Sequence, residues 1–289
     1  MMKQVLARVN PLVTTKWLAS RVLRKVQDGP RCNIRVLDGS LLPGVHQGAR
    51  DAFDKRHIPE AQFFDVNECC DKSSHLMTTI PKPRVFEDYV GNLGISNKTH
   101  VIIYDNTPGC AGVFSAPRVW WMFKYYGHSA ASVLNGGLPK WLKEGLPTTS
   151  DHQPAAPEIF KAKIVPKFLT EFEDMEKLVK ENNKCPPIVD VRPAPEFANH
   201  IKGSVNIPLP LLPDPATGEV RSPDELKQIF SNNGVDIRKS FVATCEVGVT
   251  ACAAVLLARL FDNNGVTVYD GSWQEWDAKA SSELSTRAS

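Results

Sequence analysis

Phe241-Val242-Ala243-Thr244-Cys245-Glu246-Val247-Gly248-Val249-Thr250-Ala251-Cys252, continued by Ala253-Ala254-Val255-Leu256-Leu257, is the stretch on which the fold turns. An apolar, strand-like run stops at a cysteine, one glycine breaks the short loop, and good helix formers follow. That order places a thiol at the C-terminal end of a strand, facing the start of a helix. Backbone N–H groups of the loop and first helical turn have no intrahelical partner, so they suit an anion. A thiolate, or a thiolate carrying an extra sulfur, is such an anion, and the setting favours its ionised form. A small buried hydrophobe is the ordinary alternative for an intracellular cysteine. The loop, more than the cysteine alone, argues for chemistry.

Outward from this stretch the chain repeats itself. Arg35-Val36-Leu37-Asp38-Gly39 is a short buried strand, and Ile188-Val189-Asp190-Val191-Arg192 repeats it. His57-Ile58-Pro59 recurs in the turn from His200 to Pro208, so both histidines are expected to serve the turn. The amphipathic run Phe86 to Gly94 recurs as Leu226 to Gly234, each stopped by glycine. Leu134-Asn135-Gly136-Gly137 with Trp141 recurs as Tyr269-Asp270-Gly271-Ser272 with Trp276. Val101-Ile102-Ile103-Tyr104-Asp105 reads as a strand buried on both faces, and it sets Asp105 opposite Cys245. An internally duplicated α/β unit follows, with mostly parallel sheets flanked by helices. The Pro-rich stretch 147–167 divides a unit at 12–146 from one at 168–280, and 281–289 reads as a flexible tail. Only the second unit has a thiol at its strand end, so the first is expected to be non-catalytic.

Composition narrows the class. The 289 residues carry a formal net charge of +2, which gives no reason to expect a nucleic acid or membrane partner. The 7 cysteines, at irregular spacing and without a Cys-x-x-Cys pair, argue against a secreted disulfide framework or a metal site. No run is long enough to span a membrane. Met1 to Gln27 is basic and free of acidic residues, as a mitochondrial presequence is, though Trp17, Leu18, Val22 and Leu23 have the spacing of a core face. The expected location is cytoplasmic or mitochondrial. No phosphate loop is present, and no cofactor is expected.

The chain resembles the tandem rhodanese family, the thiosulfate and 3-mercaptopyruvate sulfurtransferases, from about residue 12 to 280. The resemblance rests on Cys245 to Cys252, Tyr269-Asp270-Gly271-Ser272-Trp273 with Glu275-Trp276, and Ser115-Ala116-Pro117-Arg118-Val119-Trp120-Trp121-Met122-Phe123. Arg56-His57-Ile58-Pro59 with Phe63-Phe64-Asp65, and Ser222-Pro223-Asp224-Glu225-Leu226, complete it. It implies two tandem rhodanese-like domains and a Cys245 persulfide, cradled by the loop Glu246, Val247, Gly248, Val249 and Thr250. Sulfur would come from thiosulfate, 3-mercaptopyruvate or a persulfide, and would go to cyanide or to a thiol such as glutathione or thioredoxin.

The chain departs from the family at the donor site. Mercaptopyruvate enzymes carry a serine where Val247 stands, and an aspartate, at Asn67 here, behind the histidine that resembles His75, the candidate auxiliary residue. Thiosulfate enzymes carry basic residues where Glu246 stands, and an arginine of the anion grip falls on Glu196. Arg192 and Glu196 instead resemble a structural pair of single-domain rhodaneses. Cys252 reads as a buried helix residue, with a redox partnership to Cys245 as the minor reading. Trp120, Trp121 and Phe123 read as packing. A cysteine phosphatase of related fold would need an arginine where Ala251 lies. A catalytically weak binding or regulatory protein on the same scaffold remains as the alternative to a sulfurtransferase.

Overall fold

The computed structural model describes residues 9–23, 33–42, 48–181 and 186–288. Cys32, Cys185 and part of the basic N-terminal stretch lie outside the described residues. The first unit runs β1 (Leu12–Val13), α1 (Thr15–Val22), β2 (Ile34–Asp38), α2 (Gly48–Lys55), β3 (Gln62–Phe63), α3 (Pro83–Asn92), β4 (His100–Tyr104), α4 (Ala116–Tyr125), β5 (Ala131–Leu134) and α5 (Gly137–Lys143). The second opens with β6 (Leu169–Thr170), α6 (Phe172–Lys180), β7 (Ile188–Asp190), β8 (His200–Ile201), β9 (Val205–Asn206), β10 (Pro213–Asp214) and β11 (Glu219–Val220). It closes with α7 (Pro223–Asn232), β12 (Val242–Thr244), α8 (Ala251–Ala258), β13 (Thr267–Tyr269), α9 (Ser272–Lys279) and β14 (Ser285–Thr286).

The two main sheets have one topology, β1-β5-β4-β2-β3 and β6-β13-β12-β7-β9, and every neighbouring pair in them is parallel. Strands such as Val101 to Tyr104 and Val242 to Thr244 are buried along their length, because helices cover both faces. The duplication extends to single hydrogen bonds. Leu138 N–H donates to Asp105 O at 3.0 Å, and Trp273 N–H donates to Cys245 O at 3.0 Å. His57 bonds Phe53 O and stacks on Phe53, and His200 bonds Phe197 O and stacks on Phe197. Both histidines therefore hold their turns, as their matched places in the sequence suggest.

Helix α8 is apolar all round and wholly buried, which suits a helix enclosed on every side. It packs against α4, and Trp120, Trp121 and Phe123 of α4 share one hydrophobic core with Leu256 and Leu257 of α8. The indole N–H groups of Trp120 and Trp121 donate to Ala131 O and Phe168 O. These aromatics are packing residues. Residues 146–165 form neither helix nor strand but lie along the first unit, with Phe160 in its core and Lys163 and Val165 bonded to Tyr126 and Tyr125 carbonyls.

The C-terminal segment differs from the expected flexible tail. β14 pairs antiparallel with β8, Arg287 pairs with Asp277, and Ala288 N–H donates to Asn199. The edge strand β8 offers unpaired backbone groups, and the tail satisfies them. Among the described residues no helix is long and apolar enough to cross a membrane.

Candidate functional site

Cys245 follows β12 directly and is 1 % exposed. Its N–H donates to Ser272 Oγ at 3.2 Å, and that oxygen lies 4.0 Å from its Sγ. Ser272 opens α9 with a φ of 50°, a left-handed conformation uncommon outside glycine. Gly248 has a φ of 75°, and a Cβ there would meet Asp270 O at 2.3 Å, so only glycine fits. The turn it makes leads the loop to α8. Among the described residues nothing accepts from the N–H groups of residues 246–250. Successive backbone amides left open around such a turn form an anion nest.

The first unit shows what such a cradle takes. Asp105 follows β4 as Cys245 follows β12, and its Oδ2 accepts N–H groups of Phe114, Ser115 and Ala116 at 3.0, 2.9 and 3.1 Å. Oδ1 accepts a fourth, from Thr107, at 3.2 Å. Burial pushes the Asp105 carboxyl up, and these backbone donors pull it back toward the ionised form. A fixed carboxylate thus occupies the amides of the first unit. In the second, the residue at that place is a thiol.

Among the described residues two arginines contact the cysteine loop, and both are committed to carboxylates. Arg192 is buried, grips Asp190 through Nε and Nη2 at 3.0 and 2.8 Å, and reaches Glu246 through Nη1 at 3.1 Å. Its guanidinium lies 5.0 Å from the centroid of the Trp273 ring. The expected pair of Arg192 with Glu196 is not made: Asp190, on the same strand end, takes the bidentate face, and Glu196 is exposed. Partial burial raises the Glu246 carboxyl above its usual range while the Arg192 charge pulls it down. Arg118, wholly buried on α4, donates to Asp270 Oδ1 at 2.5 Å and to Gly248 O at 3.2 Å.

The other expected residues separate. Val247 is half-buried, and its carbonyl accepts from Thr78 Oγ. His75 is exposed, and its ring has no hydrogen-bond partner among the described residues. Asn67 accepts from the Cys70 thiol through its carbonyl, and Cys69 is buried in the core. Cys252 is buried on α8, burial pushes its thiol up, and it donates to Gly248 O at 3.3 Å. Among the described residues no cluster of three metal-ligating side chains occurs. Sequence reasoning assigned no role to Ser272, Arg118 or Thr78. The motifs contain the first two, but their partners are far away in the chain.

The comparisons with known proteins agree with this architecture. The rhodanese-like domain family matches residues 47–144 and 172–279. The chain is 44% identical to a thiosulfate sulfurtransferase of Rattus norvegicus, covering 98% of this chain and 96% of the relative. It is 40% identical to a 3-mercaptopyruvate sulfurtransferase of Mus musculus, covering 94% and 93%. Among solved structures, SseA of Escherichia coli, described as a 3-mercaptopyruvate sulfotransferase with the rhodanese fold, superposes with a TM-score of 0.80 at 31% identity over 92% of this chain and 99% of that one. Two matched domains, the repeated parallel sheet and near full-length identity together place this chain in the rhodanese family of sulfurtransferases.

Proposed function

We propose that this sulfurtransferase carries its sulfur on Cys245, with the second unit catalytic and the first a scaffold. The Cys245 thiolate attacks the outer sulfur of a donor. The donor's bond to that sulfur breaks, its remainder leaves with the electron pair, and the enzyme holds a Cys245 persulfide anion. A thiophilic acceptor, cyanide or a thiol such as glutathione or thioredoxin, then attacks the outer sulfur and returns the thiolate. One observation carries this reading: among the described residues nothing accepts from the amides of residues 246–250, at the place where, in the first unit, a carboxylate collects its own loop's amides. A persulfide anion on Cys245 suits those donors.

The site also bears on the donor. Among the described residues the arginines that touch this loop, Arg118 and Arg192, are both neutralised by carboxylates, and Val247 offers no hydroxyl. A compact dianion such as thiosulfate gains little there, so a donor whose carboxylates lie away from its reacting sulfur, such as glutathione persulfide, is the preferred reading. The test is intact mass after donor treatment, with thiosulfate, mercaptopyruvate and glutathione persulfide compared. One added sulfur on the peptide holding Cys245, absent in Cys245→Ser, is the expected result, with fastest loading from the persulfide. Turnover unchanged in Cys245→Ser would overturn the Cys245 persulfide, and no loading from any donor would leave the weak binding scaffold as the surviving alternative.

A further inference from the structure

Each carbonyl of the cysteine loop from Cys245 to Val249 is engaged by a donor. Cys245 O and Glu246 O accept N–H groups of Trp273 and Gln274 at 3.0 Å, and Val249 O accepts from Cys252 N–H at 3.3 Å. The other two are held from across the seam. Val247 O accepts from Thr78 Oγ at 2.8 Å, and Gly248 O accepts from Arg118 Nη1 at 3.2 Å. A trans peptide is planar, so a carbonyl held one way turns the next residue's N–H the opposite way. Thr78 and Arg118 therefore orient the N–H groups of Gly248 and Val249.

The first unit pays for this arrangement with strain. Thr78 has a φ of 56°, a left-handed conformation that is an outlier for a β-branched residue. Its surroundings hold it there: Arg118 Nη2 donates to Thr78 O at 2.5 Å, Met77 N–H donates to Gln274 Oε1 at 3.0 Å, and Ile80 N–H donates to Asp270 Oδ2 at 2.9 Å. The hydroxyl proton of Thr78 is shared between Val247 O and its neighbour Met77 O at 2.7 Å. A strained residue latched on both sides and aimed at a neighbouring loop marks function more than packing.

We propose that Thr78 and Arg118 are positioning residues, through which the first unit sets the amides that receive the sulfur anion in the second. The proposal rests on the persulfide reading above. Thr78→Val keeps the β-branched shape and removes the hydroxyl, whereas Thr78→Ser keeps the hydroxyl. Arg118→Lys keeps the charge but lacks the fork that spans three acceptors. In rapid-mixing mass measurements, Thr78→Val and Arg118→Lys are expected to load Cys245 about tenfold more slowly, less than the roughly hundredfold or more lost when an oxyanion donor is removed outright. KM for the donor stays near wild type, and Thr78→Ser stays near wild type in rate. Wild-type loading rates in a folded Thr78→Val, or equal losses in Thr78→Ser and Thr78→Val, would overturn the proposal. Failure of the wild type itself to load would instead overturn the persulfide reading.

Discussion

Glu246 follows the cysteine directly, and its half-exposed carboxylate lies 3.1 Å from Arg192. Pairing cancels part of its charge, yet a dianionic donor approaching Cys245 still meets a carboxylate where a cation would help. Replacing Glu246 by arginine removes that repulsion. In a water-like dielectric, close unit charges interact by about 1 kcal/mol, so kcat/KM for thiosulfate is expected to rise roughly fivefold. The gain should shrink as salt is added. Steady-state cyanolysis at low and high ionic strength checks both; a rate that does not change at low salt removes Glu246 from donor choice. The sequence showed a carboxylate beside the thiol but not where it points. Its partner lies 54 residues away on another strand end, and such pairings arise only when strands line up. The place of Cys245 between a strand and a helix was legible because strand, loop and helix formers are local signals.

The strands and helices that recur in both units were legible for the same reason, and twice over, since each unit supplies a second copy of the pattern, whereas α2, α6 and the β10–β11 hairpin were not. Asp105 opposite Cys245 is the plainest case, and the bonds from Leu138 and Trp273 N–H repeat it at atomic detail. The segment from Ser285 to Ala288 was not legible. Ser-Thr-Arg-Ala has no apolar alternation, and its order comes from backbone pairing with β8, which sequence pattern does not report. It also bears on the site, because Arg287 stacks over the Trp273 ring and Ala288 bonds Asn199, whose carbonyl accepts from Arg192. Truncation after Leu284 removes the β14 pairing with β8, the Ala288 bond to Asn199 and the exposed Arg287–Asp277 pair, together roughly 2 kcal/mol. Tm is expected to fall by a few degrees, read by calorimetry, with Arg192 less firmly held beside Glu246. An unchanged Tm would mean that β14 adds nothing to the second unit.

At the scale of the molecule, the two units share a core through α4 and α8 and a buried ion pair, Arg118 with Asp270. A buried pair is costly to desolvate, so it adds little against an apolar replacement, but breaking it leaves a buried charge alone. Asp270→Asn strands the Arg118 guanidinium and is expected to cost about 3–5 kcal/mol. Arg118→Met removes that charge and leaves the Asp270 carboxylate its bond from Ile80 N–H. The double variant should therefore be more stable than the sum of the single losses, by a coupling of about 2 kcal/mol. Because the core is continuous, the wild type should unfold in one transition, with tryptophan fluorescence and far-UV circular dichroism coincident. Asp270→Asn weakens the seam while leaving each sheet intact, so its two probes should separate in urea. Additive losses in the cycle, or two transitions already in the wild type, would show that the units are joined by chain and core contact without help from the ion pair. Coupling with a single wild-type transition would mean that the seam which shapes the cysteine loop also joins the halves in folding.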